Sequence, residues 1–401
     1  MTAIADGTIT SPQGFLAGAA SGGIKNPQAP RKDVGILFSK APCVAAAVVT
    51  RNKVKAAPII VSSEHVADGR AQAIVANSGC ANACTGPEGE EEARKMAAIA
   101  AHKLGLASVD VLVASTGVIG VRLPMDRLSS GIEAVELSRQ GGHDLAYAIM
   151  TTDTRPKETA VSFAASGRTA IVGGIAKGAG MIHPNMATML SFIATDAAIQ
   201  PVYLADSLRR AVDISFNMVT IDGDTSTNDC VFLLANGLVG NEPIAAGSPA
   251  AVEWEEALTR VCQHLAKEIA RDGEGATKLI EVQVRGAVDV AQARSAARTI
   301  AGSNLTKTAV YGSDPNWGRV LAALGRSDAE MVESKVELHL GYLCMMREGR
   351  PLAFSEVEAR ALLDKPEVTF RVDLHLGSAE ATAWGCDLTE EYVRVNSVYT
   401  T

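Results

Sequence analysis

Between Gly173 and Asp196 the chain reads GGIAKGAGMIHPNMATMLSFIATD, its densest grouping of residues suited to chemistry. A strand-like run, TAIVGGIA (169–176), collapses into Lys177-Gly178-Ala179-Gly180. The chain then passes Pro184 and re-emerges as an apolar run, Met186 to Ile193, that carries a hydroxyl at Thr188. Glycines at 178 and 180 permit backbone angles or close approaches that side chains would block, so something needs to reach the main chain there. A glycine-rich turn beside a lysine can cradle phosphate, but a Walker A loop needs Gly-Lys followed directly by Ser or Thr. Here Lys177 stands between Ala176 and Gly178, and the segment has no G-x-G-x-x-G. From these residues alone, a plain turn between two core strands competes with any catalytic reading.

Other tempting groups read more simply. Asp222-Gly-Asp224-Thr-Ser226 imitates a calcium loop, but Thr227 replaces the required glycine and Leu233 sits where the bidentate Glu belongs. His183, five residues before Thr188, invites a base role without requiring one. The seven cysteines are odd in number and dispersed, with no C-x-x-C and no histidine at ligand spacing to Cys80 and Cys84. Free, mostly buried thiols are expected, with no metal site.

The elements that must position these residues alternate along the chain. DVGILFS (33–39), CVAAAVVT (43–50), QAIVANSG (72–79) and VDVLVAS (109–115) read as buried or half-buried strands between Gly and Pro punctuation. GEEEARKMAAIAAHKLG (89–105) opens with acids and closes with bases. Glu90/Arg94 and Glu91/Lys95 stand four apart and Gly105 is the stop, which predicts a helix. Further helices fit 201–214, 250–270, 291–301 and 355–363, the last opening on a Ser355/Glu358 capping box. VFLLAN, KLIEVQV, KVELHL, VTFRVDLHL and SAEATAW fit strands, the last three alternating as strands with one wet face do. The mixture implies α/β or α+β layers, with a smaller C-terminal α+β unit over about 285–385.

A chain of 401 residues can bury a large core without staples. Thirty-seven basic against 45 acidic residues, a net charge of −8, rule out a chain-wide basic surface, so no nucleic-acid partner is expected. MTAIADGTITSPQGF has an early Asp6 and no apolar core, which argues against a secretory signal, and no uncharged apolar run is long enough to span a bilayer. A cytoplasmic protein without membrane contact is expected.

The string KGAGMIHPNMATML resembles the self-cleavage site of the ornithine acetyltransferase family, also called glutamate N-acetyltransferases, of the cyclic arginine pathway. NSGCANACTG (77–86), ASTGVIG (114–120), TTDTRPK (151–157), IDGDTSTND (221–229), RDGEGATK (271–278), SDPNWGR (313–319) and VRVNSVYTT (393–401) resemble further blocks of that family, in its order. The likeness runs end to end. One departure is Cys80, where the family block carries Asn. The resemblance implies an αββα-type sandwich around the nucleophile. It also implies autocatalytic scission between Ala187 and Thr188, into an α chain (1–187) and a β chain (188–401) that assemble as α2β2.

On the same basis Thr188 is the nucleophile, Thr116 and Gly117 form the oxyanion pair, and Thr154, Lys177, Thr188, Glu274, Asn396 and Thr401 contact substrate. The residue types suit this chemistry. A threonine hydroxyl is a weak nucleophile until a base sits beside it, and the α-amine freed by the cut is such a base. The implied cycle takes acetyl from N-acetylornithine onto Thr188 and passes it to glutamate, with no cofactor. Some members also accept acetyl-CoA, and the resemblance leaves both donor sets open. Asp314, Asn316, Trp317 and Arg319 are expected to shape a turn near the site or at a chain interface. The alternative is a self-cleaving threonine-nucleophile aminopeptidase or amidase, in which water resolves the acyl-enzyme.

Overall fold

A computed structural model describes residues 1–28, 30–183 and 189–398. In chain order its strands are β1 (Thr2–Ala3), β2 (Phe15–Ala20), β3 (Val34–Val49), β4 (Arg70–Cys80), β5 (Val111–Val118), β6 (Lys157–Ala165), β7 (Arg168–Lys177), β8 (Leu190–Thr195), β9 (Cys230–Ala235), β10 (Leu279–Ala287), β11 (Glu337–Leu340), β12 (Leu343–Arg347), β13 (Arg350–Pro351), β14 (Glu367–Asp373) and β15 (Ala379–Cys386). The α-helices are α1 (Ala57–His65), α2 (Gly86–Leu104), α3 (Met125–Ala134), α4 (Gly142–Ala148), α5 (Pro201–Asp213), α6 (Ala251–Arg271), α7 (Val290–Ala301), α8 (Asn304–Tyr311), α9 (Trp317–Gly325), α10 (Glu356–Leu363) and α11 (Glu390–Val398).

Nine strands form one sheet in the order β1-β6-β7-β8-β9-β3-β4-β5, with β2 also pairing β3. The two strands expected at 33–39 and 43–50 are one strand, β3, broken in register between Phe38 and Cys43. Its first half pairs with β4 and its second half with β9, so β3 hands the sheet from one leaf to the other.

Alternation along each strand sorts the side chains into layers. Leu37, Ile74, Ala76, Leu112 and Ala114 of one leaf share a core with Ile175, Leu190, Phe192, Phe232 and Leu234 of the other. Phe192 and Phe232 stack there with ring centroids 6.0 Å apart, each burial stabilising by roughly 1.5–3 kcal/mol. The opposite faces pack outward. Ala73, Val75, Val111 and Val113 bury against Val61 of α1, Met96 of α2 and Leu128 of α3. Val172, Ile193, Val231 and Leu233 bury against Leu208 of α5 and Leu258 of α6. Helices therefore cover both outer faces of a folded sheet, while Leu145 and Ala146 of α4 reach into the space between the leaves.

The second sheet runs β13-β12-β11-β14-β10-β15; β11 and β14 alternate between buried and partly exposed positions, whereas β15, expected to alternate, ends in a run of four buried residues. The apolar stripe of α6 joins the two parts. Trp254 packs on Phe163 of β6, and Leu265 and Ile269 share a core with Ile280 and Val282 of β10.

Helix α2 stops at Gly105, which takes the left-handed conformation (φ 69°). Of its two expected side-chain pairs, Glu91 and Lys95 meet at 2.7 Å, but Arg94 turns away from Glu90 to Glu64 of α1 at 2.7 Å. A partner on a packed neighbour displaces the local one. Ser355 caps α10, accepting from the Glu358 N–H at 3.3 Å. All seven cysteines are free thiols, five of them buried. No helix among the described residues is long and apolar enough to cross a membrane.

Candidate active site

Several blocks meet at the ends of β5 and β7. A cleft of about 140 Å³ is lined by Thr116, Gly117, Thr151, Lys177, Gly180, Met189, Asp222, Asn228, Asp229, Glu274, Tyr392 and Asn396, among others. Five of the expected residues thus come together: Thr116, Gly117, Lys177, Glu274 and Asn396. Ala187, Thr188 and Thr401 lie outside the described residues.

Lys177, the last residue of β7, is buried. Its ammonium donates to Thr151 Oγ1 at 2.8 Å and to Thr116 Oγ1 at 3.4 Å, and lies 3.8 Å from Asp153 Oδ2. Burial pushes its pKa below the ordinary lysine value. Asp153 opposes this and Lys157 adds to it. Burial alone would raise the Asp153 carboxyl, but Lys177 and Lys157 outweigh it and hold the group well below the usual carboxylate range. Asp153 also accepts the Gly178 N–H at 2.6 Å and the Thr151 N–H at 3.0 Å.

Thr116 and Gly117 close β5. Gly117 adopts φ 129°, and a Cβ there would stand 2.4–2.7 Å from the Gly79 and Cys80 backbone, so this close approach of β4 and β5 demands glycine. Amides flank it. Asn77 donates to Cys80 O at 2.9 Å and accepts from Ser115 Oγ at 2.7 Å. Asn228, ahead of β9, donates to Ala81 O at 2.6 Å and Ser115 O at 2.9 Å, bridging the two leaves. Cys80 is buried and its thiol points to Val121 O at 3.1 Å. Burial raises its pKa, so the departure from Asn leaves an inert thiol beside the turn.

Glu274 follows α6. Its carboxylate lies against Gly180, where an added Cβ would meet it at 2.4–2.5 Å, and it accepts from Asn396 Nδ2 at 2.7 Å. Its N–H donates to Ala179 O at 2.8 Å. A buried acid facing a buried lysine across a small polar cleft suits a ligand carrying both an ammonium and a carboxylate.

The IDGDTSTND block and Cys230, which follows it, grip the two flanks of residues 184–188. Asp222 accepts the N–H groups of Met181 at 2.5 Å and Ile182 at 2.8 Å, Thr225 Oγ1 donates to His183 O at 2.8 Å, and the Cys230 N–H donates to Met189 O at 3.0 Å. Met181 takes φ 55°, a strained angle for a side chain of that size. The apparent calcium loop is thus a clamp. His183 bonds Thr220 Oγ1 at 2.9 Å, and burial, with Arg298 adding, pulls its pKa down to about 4.

Thr154 is absent from the lining. Its N–H (3.1 Å) and its hydroxyl both go to Asp272. Asp314 and Asn316 lie in the turn between α8 and α9, Trp317 and Arg319 in the first turn of α9, and none of the four lines the cleft. Sequence reasoning passed over Asp153, Lys157 and Asp272. Their signal was the four-residue spacing of Asp153 and Lys157, but in a non-helical segment that spacing carries no expectation of contact.

A model of the ArgJ family matches residues 16–401. The chain is 56% identical over 397 residues to the arginine biosynthesis bifunctional protein ArgJ of Symbiobacterium thermophilum, covering 98% of this chain and 99% of that one. It is 50% identical to the protein of the same name from Dehalococcoides mccartyi, covering 99% and 98%. The crystal structure of the arginine biosynthesis bifunctional protein argJ from Bacillus halodurans aligns with a TM-score of 0.52 at 46% identity. The match covers 53% of this chain and all of that chain.

Proposed function

The chain belongs to the ArgJ family and is a glutamate N-acetyltransferase of arginine biosynthesis that moves acetyl from N-acetylornithine to glutamate; we propose that Thr188 carries the acetyl group. The supporting observation is convergence. Lys177, Thr116, Gly117, Glu274 and Asn396 line one cleft together with Met189, the neighbour of Thr188.

In this reading Thr188 Oγ attacks the Ala187 carbonyl, the acyl group shifts from nitrogen to oxygen, and water hydrolyses the ester. The products are an α chain of 1–187 and a β chain of 188–401. Residues 188–401 make up 53% of the sequence, the share spanned by the whole solved chain from Bacillus halodurans, which supports a break at this point. The freed α-amine, with an ordinary pKa of about 7.7–8, then takes the hydroxyl proton as Thr188 attacks the acetyl carbon of N-acetylornithine.

Thr116 and Gly117 stabilise the tetrahedral oxyanion, a role in which one donor typically contributes about 2.7–4 kcal/mol. Glu274, backed by Asn396, receives the substrate ammonium, and Lys177 faces the carboxylate. Ornithine leaves and glutamate accepts the acetyl group. One amide is exchanged for another of similar energy, so the transfer runs in both directions. The relatives' name, bifunctional, supports acetyl-CoA as a second donor. The working form in this reading is a cytoplasmic α2β2 assembly, with Thr401 completing the substrate contacts.

Intact mass measurement of purified protein is expected to give two fragments joined at 187/188, and Thr188→Ala a single inactive chain. Transfer by Thr188→Ala at the normal rate would remove Thr188 from the mechanism. Incubation with N-acetylornithine separates transfer from hydrolysis. Acetate release that glutamate does not suppress would favour the amidase reading.

A further inference from the structure

Behind the cleft, leading away from Lys177, lie three buried charges that the mechanism above does not use. Lys157 opens β6 with its side chain fully buried, and its ammonium meets Asp153 Oδ1 at 2.7 Å and Asp272 Oδ2 at 2.6 Å. Asp153, also fully buried, turns its other oxygen toward Lys177 at 3.8 Å. Asp272 ends α6 and takes both the N–H and the hydroxyl of Thr154. The order is therefore Lys177, Asp153, Lys157, Asp272: alternating in sign, balanced overall, and ending at Thr116. Buried ions survive only when each has its partners, so losing one link leaves an uncompensated charge beside the next.

We propose that Asp153, Lys157 and Asp272 are positioning residues for acetyl transfer: the buried row holds the Lys177 ammonium against Thr116 Oγ1, so that the Thr116 hydroxyl accepts from Lys177 and aims its own proton into the cleft at the developing oxyanion. A hydroxyl that accepts from a cation is a stronger donor than one left to rotate. The same anchor fixes Gly178, whose N–H sits on Asp153, and with it the turn that leads toward the nucleophile. Thr154 then acts through its side chain on Asp272, as a strut for the row.

This inference rests on the proposed role of Thr116 and Lys177. Its test compares Lys157→Met, which keeps length and drops charge, with Lys157→Arg, each checked for a native melt. Lys157→Met is expected to lower kcat about tenfold or more with both substrates' KM within about twofold, and Lys157→Arg to recover most of the loss. The pH profile supplies the readout that mere packing would not move. Lys177 is faced by Asp153 and Lys157, by Glu274 after α6 and by Asp229 before β9. Removing the positive neighbour favours the charged ammonium, so the alkaline limb of kcat moves to higher pH.

If Lys157→Met does not fold, Thr154→Val is read instead. A lower kcat at unchanged KM supports the row, and a raised KM at unchanged kcat overturns it. A folded Lys157→Met with wild-type kcat and pH profile also overturns it. Activity surviving in Thr188→Ala would strike the nucleophile and leave the result for Lys157 to be judged separately.

Discussion

Gly180 is glycine because Glu274 occupies the space a side chain would need. Gly180→Ala forces the carboxylate aside while leaving every charge in place. The loss expected is that of one charge-assisted contact, about 1.5 kcal/mol or roughly tenfold in kcat/KM for N-acetylornithine, with the fold intact by circular dichroism. Unchanged kinetics would mean that Glu274 does not touch substrate. His183 makes a different prediction, about pH. Its folded pKa of about 4 lies below the ordinary 6.5, so between these values the unfolded chain takes up a proton that the folded one refuses. The stability it contributes is present above pH 6.5 and lost as pH falls toward 4. Denaturation midpoints measured across that range should fall less steeply for His183→Gln than for the parent. Equal slopes would refute the assignment.

Helices and strands differ in how much of them the sequence announces. Helix α2 was legible because its charges, its stop and its apolar spacing agree, and the alternating strands of the second sheet were legible for the same reason. The short helices α4, α8, α9 and α11, of seven to nine residues, gave no comparable signal. Isolated helices of that length are marginal, and packing rather than propensity forms them. Helix α11 carries Asn396 to Glu274, whereas the residue taken singly reads as a turn or edge position. Capping offers an element-scale test away from the cleft. Asp289 accepts the Gln292 N–H at 2.9 Å at the start of α7, so Asp289→Ala should cost about 1 kcal/mol in urea unfolding while leaving transfer untouched. A change in kcat would show that α7 reaches the site.

At the scale of the molecule, the proposed cut falls inside one continuous sheet. Strands β8 and β9, which follow position 188, lie between β7 and β3, which precede it, and pair with both. Parting the two pieces would break two ladders and bare the Phe192–Phe232 core. The fragments should therefore elute together on native gel filtration and separate only in denaturant; separate native elution would be incompatible with this topology.

The kinds of residue required for acyl transfer, their order along the chain and the regular elements between them were determined by the sequence itself, because periodicity, caps and motif spacing are local properties. Which of those residues share a cleft was decided only in three dimensions. Burial brought Lys177, Asp153, Lys157 and Asp272 into one alternating row and turned an apparent cation loop into a clamp. Packing of α2 on α1, nearer the surface, sent the half-exposed Arg94 to Glu64, and the Thr154 hydroxyl went to Asp272. Charges out of water take whichever partner the packed backbone sets nearest, and that distance is not written in any local pattern.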